Sequence, residues 1–221
     1  MLAAMHCATD AATPTLPRLP ERVQRFVRHA VLHCTGTPNG LPLSRPEAPA
    51  RGGLGETPTN VLDVWHGRLG YFRTAEMRNA YNWRLPHIGY HFVIDLDGTV
   101  WTGRHLEETG MGGVPDASVD ICLVGGGGDG GGDVGRNPAD ETARFTAAQW
   151  DALGLLLVAL STLLGLPLAA PVTRHERGVC GHRDKPAPAG LPQRPCPGFD
   201  VGAYLDRGLQ PLSTHQIPAA R

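Results

Sequence analysis

The sequence lacks the features that mark several classes of protein. It has no basic excess, because its 20 Lys and Arg residues are balanced by 21 Asp and Glu residues. A clustered excess of positive charge is the usual footprint of nucleic-acid binding, so we expect no nucleic-acid partner. Its five cysteines form no C-x-x-C pair, and their odd number and irregular spacing argue against a disulfide scaffold. We therefore expect reduced thiols.

The first residues lack a charged stretch followed by a sustained apolar run, which predicts that no secretory signal is present. We therefore expect a protein that is cytoplasmic at synthesis. A length of 221 residues suits one domain. We expect a flexible N-terminal arm over residues 1–22, a single domain over 23–208 and a flexible tail over 209–221, and we expect a monomer.

An apolar stretch over residues 152–170 is long enough to suggest a membrane span. Thr146 and Gln149 form a capping box before it, and leucines follow at helical spacing. Gly165 and Pro167 then provide a helix stop. The pattern predicts a buried core helix and no membrane span.

The remaining segments alternate between strand and helix patterns. Strand patterns lie at residues 25–34, 88–95, 99–103 and 119–124, and Asp97-Gly98 is a hairpin turn signal between the second and third. Residues 59–68 predict a short helix capped by Thr59 or Asn60. We expect irregular structure at 36–58 and 69–86 and mostly loop from 171 onward. The order predicts an α/β fold, a single domain with a central mixed β-sheet flanked by helices.

Three residues are candidate metal ligands: His33, His182 and Cys196. Zinc binds His nitrogen and Cys thiolate, and a catalytic zinc site uses three protein ligands and keeps a fourth position open. Spacing alone leaves the alternative open that His182 is an exposed loop histidine and Cys196 a buried, inert thiol.

Seven motifs occur in an order that is typical of one family. They are VLHCTGT, WH, IGYHFVIDLDGTVWTGR, ICLVGG, FTAAQWDAL, GHRD and CPGFD. Together they resemble the zinc amidases of the phage-lysozyme and peptidoglycan-recognition-protein type, the N-acetylmuramoyl-L-alanine amidase 2 family. The resemblance runs from about residue 28 to 205. It implies hydrolysis of the amide bond between N-acetylmuramic acid and L-alanine, with peptidoglycan or a muropeptide as substrate and Zn²⁺ as cofactor.

The resemblance also implies residue roles. His33, His182 and Cys196 match the zinc ligands, and Tyr90 matches a tyrosine that lies beside the metal. Phage-type members carry a lysine two residues before the metal cysteine, where this chain has Arg194. Both cations stabilise an oxyanion, but arginine does not act as a base. We therefore expect Arg194 to take the catalytic position, with Lys185 as the alternative.

The chain departs from the family before ICLVGG. Many members carry a G-x-H…N-x-x-S-I-G pattern there, whereas this chain reads TGMGGVPDASVD and has neither the His nor the Asn. Cys122 stands where relatives of the muropeptide-recycling type carry a glutamate. That cysteine places the chain nearer to the phage type.

Two other functions fit some of the same residues. One is a binding module of the same fold that recognises peptidoglycan without cutting it. The other is a cysteine hydrolase, with Cys34 or Cys180 as nucleophile and His33 or His182 as base. A cell-wall substrate requires release or delivery of the protein after synthesis, as in a phage endolysin, unless the enzyme recycles muropeptides in the cytoplasm.

Overall fold

The structure is a computed structural model that describes residues 14–43, 57–110, 117–128, 143–173, 175–182 and 196–218. A five-stranded sheet lies at its centre, with the strand order β3-β2-β4-β1-β5. The strands are β1 His29–Cys34, β2 Phe92–Ile94, β3 Val100–Thr102, β4 Ser118–Leu123 and β5 Gly178–Gly181. All neighbouring strands are parallel except β2 and β3, which form an antiparallel hairpin. The predicted mixed sheet is confirmed.

The helices of the described ranges lie on both faces of this sheet. They are α1 Pro58–Arg68, α2 Ala75–Ala80, α3 Ala147–Leu164 and α4 Val201–Asp206, followed by a 3-10 turn at Ser213–His215. Side chains alternate across a strand, so one face of β4 joins the core that contains α3, and Cys122 on the other face packs with residues near α1. The expected α/β architecture with flanking helices is therefore confirmed.

The helix α3 begins and ends where the sequence predicts. The Thr146 hydroxyl accepts the Gln149 N–H at 3.1 Å, the Gln149 side chain accepts the Thr146 N–H at 3.0 Å, and Gly165 ends the helix at a φ of 57°. The Gln149 Nε2 also donates to the carbonyls of Ile94 at 3.3 Å and Val124 at 2.8 Å. One buried amide therefore joins the start of α3 to the carboxyl ends of β2 and β4.

By length and composition alone, α3 would pass as a membrane span. Its leucines at helical spacing are instead buried against the sheet, and they are Leu153, Leu156, Leu157 and Leu160. Because this face completes the main hydrophobic core, the packing favours the predicted core helix.

Several elements differ from the sequence prediction. Thr57 caps α1, because its side chain accepts the Asn60 N–H at 3.3 Å and Pro58 occupies the first helical position. The prediction of Thr59 or Asn60 as the cap was wrong. The segment expected to be irregular contains α2, and the tail expected to be loop contains β5 and α4. These are short elements with little periodicity of their own, and β5 exists because its backbone pairs with β1.

Contacts to the core extend beyond the predicted domain boundaries at residues 23 and 208. Leu16 and Leu19 pack against the main core on the N-terminal side. Near the other end, His215 is buried and its Nδ1 lies 2.7 Å from the Ala143 carbonyl. The boundaries themselves stay a prediction.

Candidate metal centre

Three side chains from distant parts of the chain meet at the carboxyl ends of two parallel strands. The ligand atoms of His33, His182 and Cys196 all lie within 4.8 Å of one another. His33 lies near the end of β1, and His182 directly follows β5, so the pairing of these strands brings the two imidazoles together. Their ring centroids are 4.8 Å apart. Cys196 reaches the same point ahead of α4, a helix that contacts β5.

The centre is buried on one side and open on the other. His33 is 1% exposed and Cys196 is 6% exposed, whereas His182 is only half-buried. Ligand atoms around a tetrahedral zinc lie roughly 3.5 Å apart, given metal–ligand bonds of about 2.0–2.3 Å. A small inward movement of the three side chains would satisfy that geometry and leave the open side for another ligand. The donor set and the spacing therefore fit zinc.

The Cys196 sulfur lies in surroundings that favour its thiolate. The Cys34 backbone N–H lies 3.2 Å from this sulfur and donates to it. Hydrogen bonding with Cys34, and with the two histidines, outweighs the opposing effect of burial and holds the pKa of Cys196 well below its usual range. A hydrogen bond with the Cys196 thiolate, followed by burial, raises the pKa of Cys34. The Cys34 thiol therefore stays protonated. Because the thiolate is the form that binds metal, Cys196 is the ligand-competent thiol of the pair.

Asp120, which sequence reasoning did not single out, contacts His33. The Asp120 Oδ1 lies 2.9 Å from the His33 Nε2, and the carboxylate is fully buried in β4. Burial lowers the pKa of His33, but hydrogen bonds to Asp120 and Cys196 outweigh it and leave the pKa raised. The available signal was a lone acidic residue inside the apolar run VDICLV, since a fully buried carboxylate normally has a partner.

Tyr90 lies beside the three candidate ligands. Its ring centroid is 5.0 Å from that of His33 and 4.9 Å from that of His66. Burial of the phenol, followed by the nearby thiols, raises the pKa of Tyr90 well above its usual value. The hydroxyl therefore stays protonated at neutral pH and is available as a hydrogen-bond donor.

Other ionisable side chains are not among the three candidate ligands. His91 is fully buried, its Nδ1 accepts the Asp120 N–H at 3.0 Å and its Nε2 lies 3.0 Å from the Glu108 carbonyl, which is the environment of a core histidine. The Glu176 carboxylate accepts the Val172 N–H at 3.0 Å in an exposed turn. Arg194 and Lys185 fall within residues 183–195, which lie outside the described residues.

Cys34 and His33 are not arranged like a nucleophile and its base. Cys34 packs in the core on the α3 side of the sheet, as the alternation of the strand predicts. Its neighbour His33 points to the other face, where it contacts Asp120. Cys180 is buried within β5 at 7% exposure. The geometry disfavours a cysteine hydrolase built on the His33–Cys34 pair.

Comparison with known proteins gives consistent matches. The family model described as N-acetylmuramoyl-L-alanine amidase matches residues 23–199. The endolysin of Klebsiella phage KP32 is 34% identical over 131 residues, which cover 58% of this chain and 70% of that protein. The endolysin of Escherichia phage T7 is 32% identical over 124 residues, which cover 54% of this chain and 65% of that protein.

Solved structures are also similar, at lower sequence identity. The N-acetylmuramoyl-L-alanine amidase LysC from Clostridium intestinale URNW is 19% identical, with a TM-score of 0.49. The match covers 82% of this chain and 87% of LysC. The peptidoglycan recognition protein PGRP-LB of Drosophila, as a point mutant in complex with tracheal cytotoxin, is 19% identical over 86% of this chain and 87% of that chain, with a TM-score of 0.46.

Proposed function

The chain belongs to the N-acetylmuramoyl-L-alanine amidase family, and from that premise we propose that it hydrolyses the amide bond between N-acetylmuramic acid and L-alanine in peptidoglycan with a zinc ion held by His33, His182 and Cys196. The observation that carries the proposal is the convergence of these three ligand atoms within 4.8 Å of one another. Two imidazoles and a thiolate are donors that suit zinc, and three protein ligands are the number found in catalytic zinc sites.

Zinc bound there would supply Lewis-acid chemistry, which polarises an amide carbonyl and acidifies water. The side chains around it have separate tasks. Tyr90 stays a protonated phenol beside His33, so it would donate a hydrogen bond to the reacting amide group or to the attacking water. Burial of His33 and Cys196 keeps the inner side of the site dry, which strengthens each of these polar contacts.

Arg194 is proposed as the cation that stabilises the developing oxyanion. It stands two residues before Cys196 in the sequence, where the phage-type amidases carry lysine. A fixed positive charge suits this role and excludes a role as base. Arg194→Ala should lower kcat by about 10²–10³-fold, Arg194→Lys should retain most activity, and Lys185→Ala should be close to wild type. A strong loss in Lys185→Ala instead would assign the role to Lys185.

The biological role that we propose is lysis of the bacterial cell wall by an endolysin. The similarity to phage endolysins supports this role. Action on the wall would follow release or delivery of the protein.

The decisive experiment is mass spectrometry of purified sacculi digested by the zinc-loaded protein, with and without a chelator. We expect products with free muramic-acid lactyl carboxyl groups and free L-alanine amino groups, and no such products after chelation. His182→Ala should lose both bound zinc and activity. His175→Ala is the matched control, because His175 is an exposed histidine outside the centre, and it should retain both.

The competing functions give different results in the same experiment. A cysteine hydrolase would survive the chelator and lose activity in Cys34→Ala or Cys180→Ala. A binding module would bind sacculi and release no product. Full activity in metal-free His182→Ala would end the zinc-amidase proposal.

A further inference from the structure

Asp120 is a carboxylate buried in the central strand of the sheet. It lies in β4, between β2 and β1, and its exposure is 0%. Its Oδ1 contacts the His33 Nε2 at 2.9 Å, and its Oδ2 accepts the Ser118 hydroxyl at 3.1 Å. A buried, ionised carboxylate is costly unless polar partners compensate it, so its placement calls for a physical reason.

The surrounding chain leaves a space that this carboxylate fills. A Cβ atom on Gly110 would lie 1.6 Å from the Asp120 Oδ2, so a side chain at that position would collide with the carboxylate. Nearby, the Arg25 Nη2 donates to the Ser118 carbonyl at 2.8 Å and brings a positive charge close to Asp120. Gly110 leaves room for the carboxylate, and the bonds of its Oδ1 to His33 and of its Oδ2 to the Ser118 hydroxyl define its orientation.

That orientation determines how His33 presents its two ring nitrogens. A carboxylate only accepts hydrogen bonds, so the His33 Nε2 must carry a proton to bond Asp120. The Nδ1 is then the nitrogen that is left to bind metal. A histidine ligand whose second nitrogen donates to a carboxylate has a fixed tautomer and ring orientation and is a stronger ligand.

His91 does not compete for this role. Its Nδ1 lies 3.9 Å from the Asp120 Oδ2, beyond hydrogen-bond distance, and accepts the Asp120 backbone N–H instead. Its Nε2 lies 3.0 Å from the Glu108 carbonyl and is therefore the protonated nitrogen. The neutral ring of His91 packs beside the carboxylate and leaves its Oδ1 to His33.

We propose that Asp120 is a positioning residue of the metal centre, which holds His33 with its Nε2 protonated so that its Nδ1 faces the ion. The inference rests on the proposed zinc site. The family pattern G-x-H…N-x-x-S-I-G ends in glycine. Its last three positions correspond to Ser118, Val119 and Asp120 of this chain, so Asp120 stands where the pattern has glycine. The carboxylate is therefore an addition to that pattern in this chain, and glycine is an informative replacement.

The test compares the zinc affinity of the wild type with that of Asp120→Asn and Asp120→Gly, measured by competition with a chromophoric chelator. Loss of a carboxylate behind a ligand histidine typically weakens metal binding about 10–100-fold. We expect a loss in that range for Asp120→Gly and a smaller loss for Asp120→Asn, which keeps an oxygen acceptor without the charge. Melting curves of the metal-free proteins check folding, and Asp120→Asn carries the test if Asp120→Gly does not fold.

Asp63→Asn is the matched control. Asp63 is also a buried carboxylate, and its Oδ1 accepts the backbone N–H groups of His87 at 2.6 Å and Ile88 at 2.7 Å. An asparagine oxygen can accept both bonds, and Asp63 is not among the three candidate ligands. We expect its zinc affinity to equal that of the wild type.

A second readout does not depend on affinity. Long-range ¹H–¹⁵N spectra of the zinc-loaded wild type should show a proton on the His33 Nε2 and a coordinated Nδ1. Zinc on the Nε2, or unchanged affinity in both Asp120 variants, overturns the positioning role while the zinc site stands. A wild-type protein that takes up no zinc overturns both proposals.

Discussion

The Nδ1 of His66 accepts the backbone N–H of Gly89 at 2.9 Å, which ties the last turn of α1 to the residue before Tyr90. This bond requires a ring nitrogen without a proton. Burial, followed by the charges of His33 and Arg104, lowers the pKa of His66 from 6.5 to about 4. Burial likewise lowers the pKa of His91 to about 4. Both rings are therefore neutral in the folded protein at neutral pH.

The stability of the protein should fall as the pH decreases from about 6.5 to about 4. In that window the unfolded chain binds protons at both histidines and the folded protein does not, so protonation favours unfolding. The contribution of the two neutral histidines to the unfolding free energy is fully present above pH 6.5. It is lost progressively as the pH falls toward their folded pKa of about 4. A shift of this size corresponds to on the order of 3 kcal/mol for each histidine. Denaturant unfolding at a series of pH values measures it.

His66→Asn separates this contribution from the titration of carboxylates. An asparagine oxygen can replace the Nδ1 as acceptor of the Gly89 N–H, but it does not titrate. The slope of the unfolding free energy against pH gives the number of protons that are bound on unfolding. Between pH 6.5 and 4.5 we expect this number to be lower by about one in His66→Asn than in the wild type. An unchanged slope would mean that His66 is not neutral in the folded protein.

Tyr90→Phe should lower kcat by about 10²–10³-fold and leave the bound zinc unchanged. The substitution keeps the ring against His33 and His66 and removes only the hydroxyl. Steady-state kinetics on muropeptides, together with metal analysis, measure both quantities. Loss of zinc in parallel with activity would give Tyr90 a structural role instead.

Arg73→Ala should destabilise the protein by about 3–5 kcal/mol. The Arg73 guanidinium forms a buried two-point bond to Glu108, at 2.7 and 2.5 Å, and also donates to the Leu85 carbonyl at 3.0 Å. Hydrogen bonds and the charge of Arg73 outweigh burial and hold the pKa of Glu108 below its usual value. Removal of the arginine leaves the buried Glu108 carboxylate without its counter-ion and takes a donor from the Leu85 carbonyl.

Arg22→Ala is the control for this loss, because Arg22 is exposed. Its unfolding free energy should stay within about 0.5 kcal/mol of the wild type. Equal stability of Arg73→Ala and Arg22→Ala would contradict the buried ion pair.

Leu156→Ala should cost about 2–5 kcal/mol, because the side chain is fully buried where α3 meets the sheet. Val158→Ala, on the same helix but 47% exposed, should cost little. Thermal or denaturant unfolding of the two variants compares the faces of α3. Similar losses at both positions would contradict the core packing of this helix.

The parts of the fold that could be predicted from the sequence are those with a signal in a few neighbouring residues. The capping box at Thr146 and the turn at Asp97-Gly98 act within a few residues, and both elements form as expected. In contrast, β5 has only four residues, with glycine at each end, and depends on pairing with β1. No local pattern predicts a pairing between segments so far apart.

The candidate site also combines one element with a local sequence signal and others that depend on contacts between distant segments. The strand that carries His33 was predicted from its apolar run, but the roles of His182 and Cys196 came from the family resemblance. Their meeting depends on β5 and on the approach of Cys196 to the Cys34 N–H. The role of Asp120 was not predicted, because its partner His33 lies 87 positions away in the chain.

The buried amide of Gln149 has a consequence for how the protein opens. Because this one group bonds Thr146, Ile94 and Val124, fraying of the first turn of α3 would break the bonds from this amide to two strand carbonyls at the same moment. The helix start and the two strand ends should therefore exchange their amide hydrogens as one cooperative unit. We expect this edge of the sheet to open less often than a helix end that has no bond to neighbouring strands.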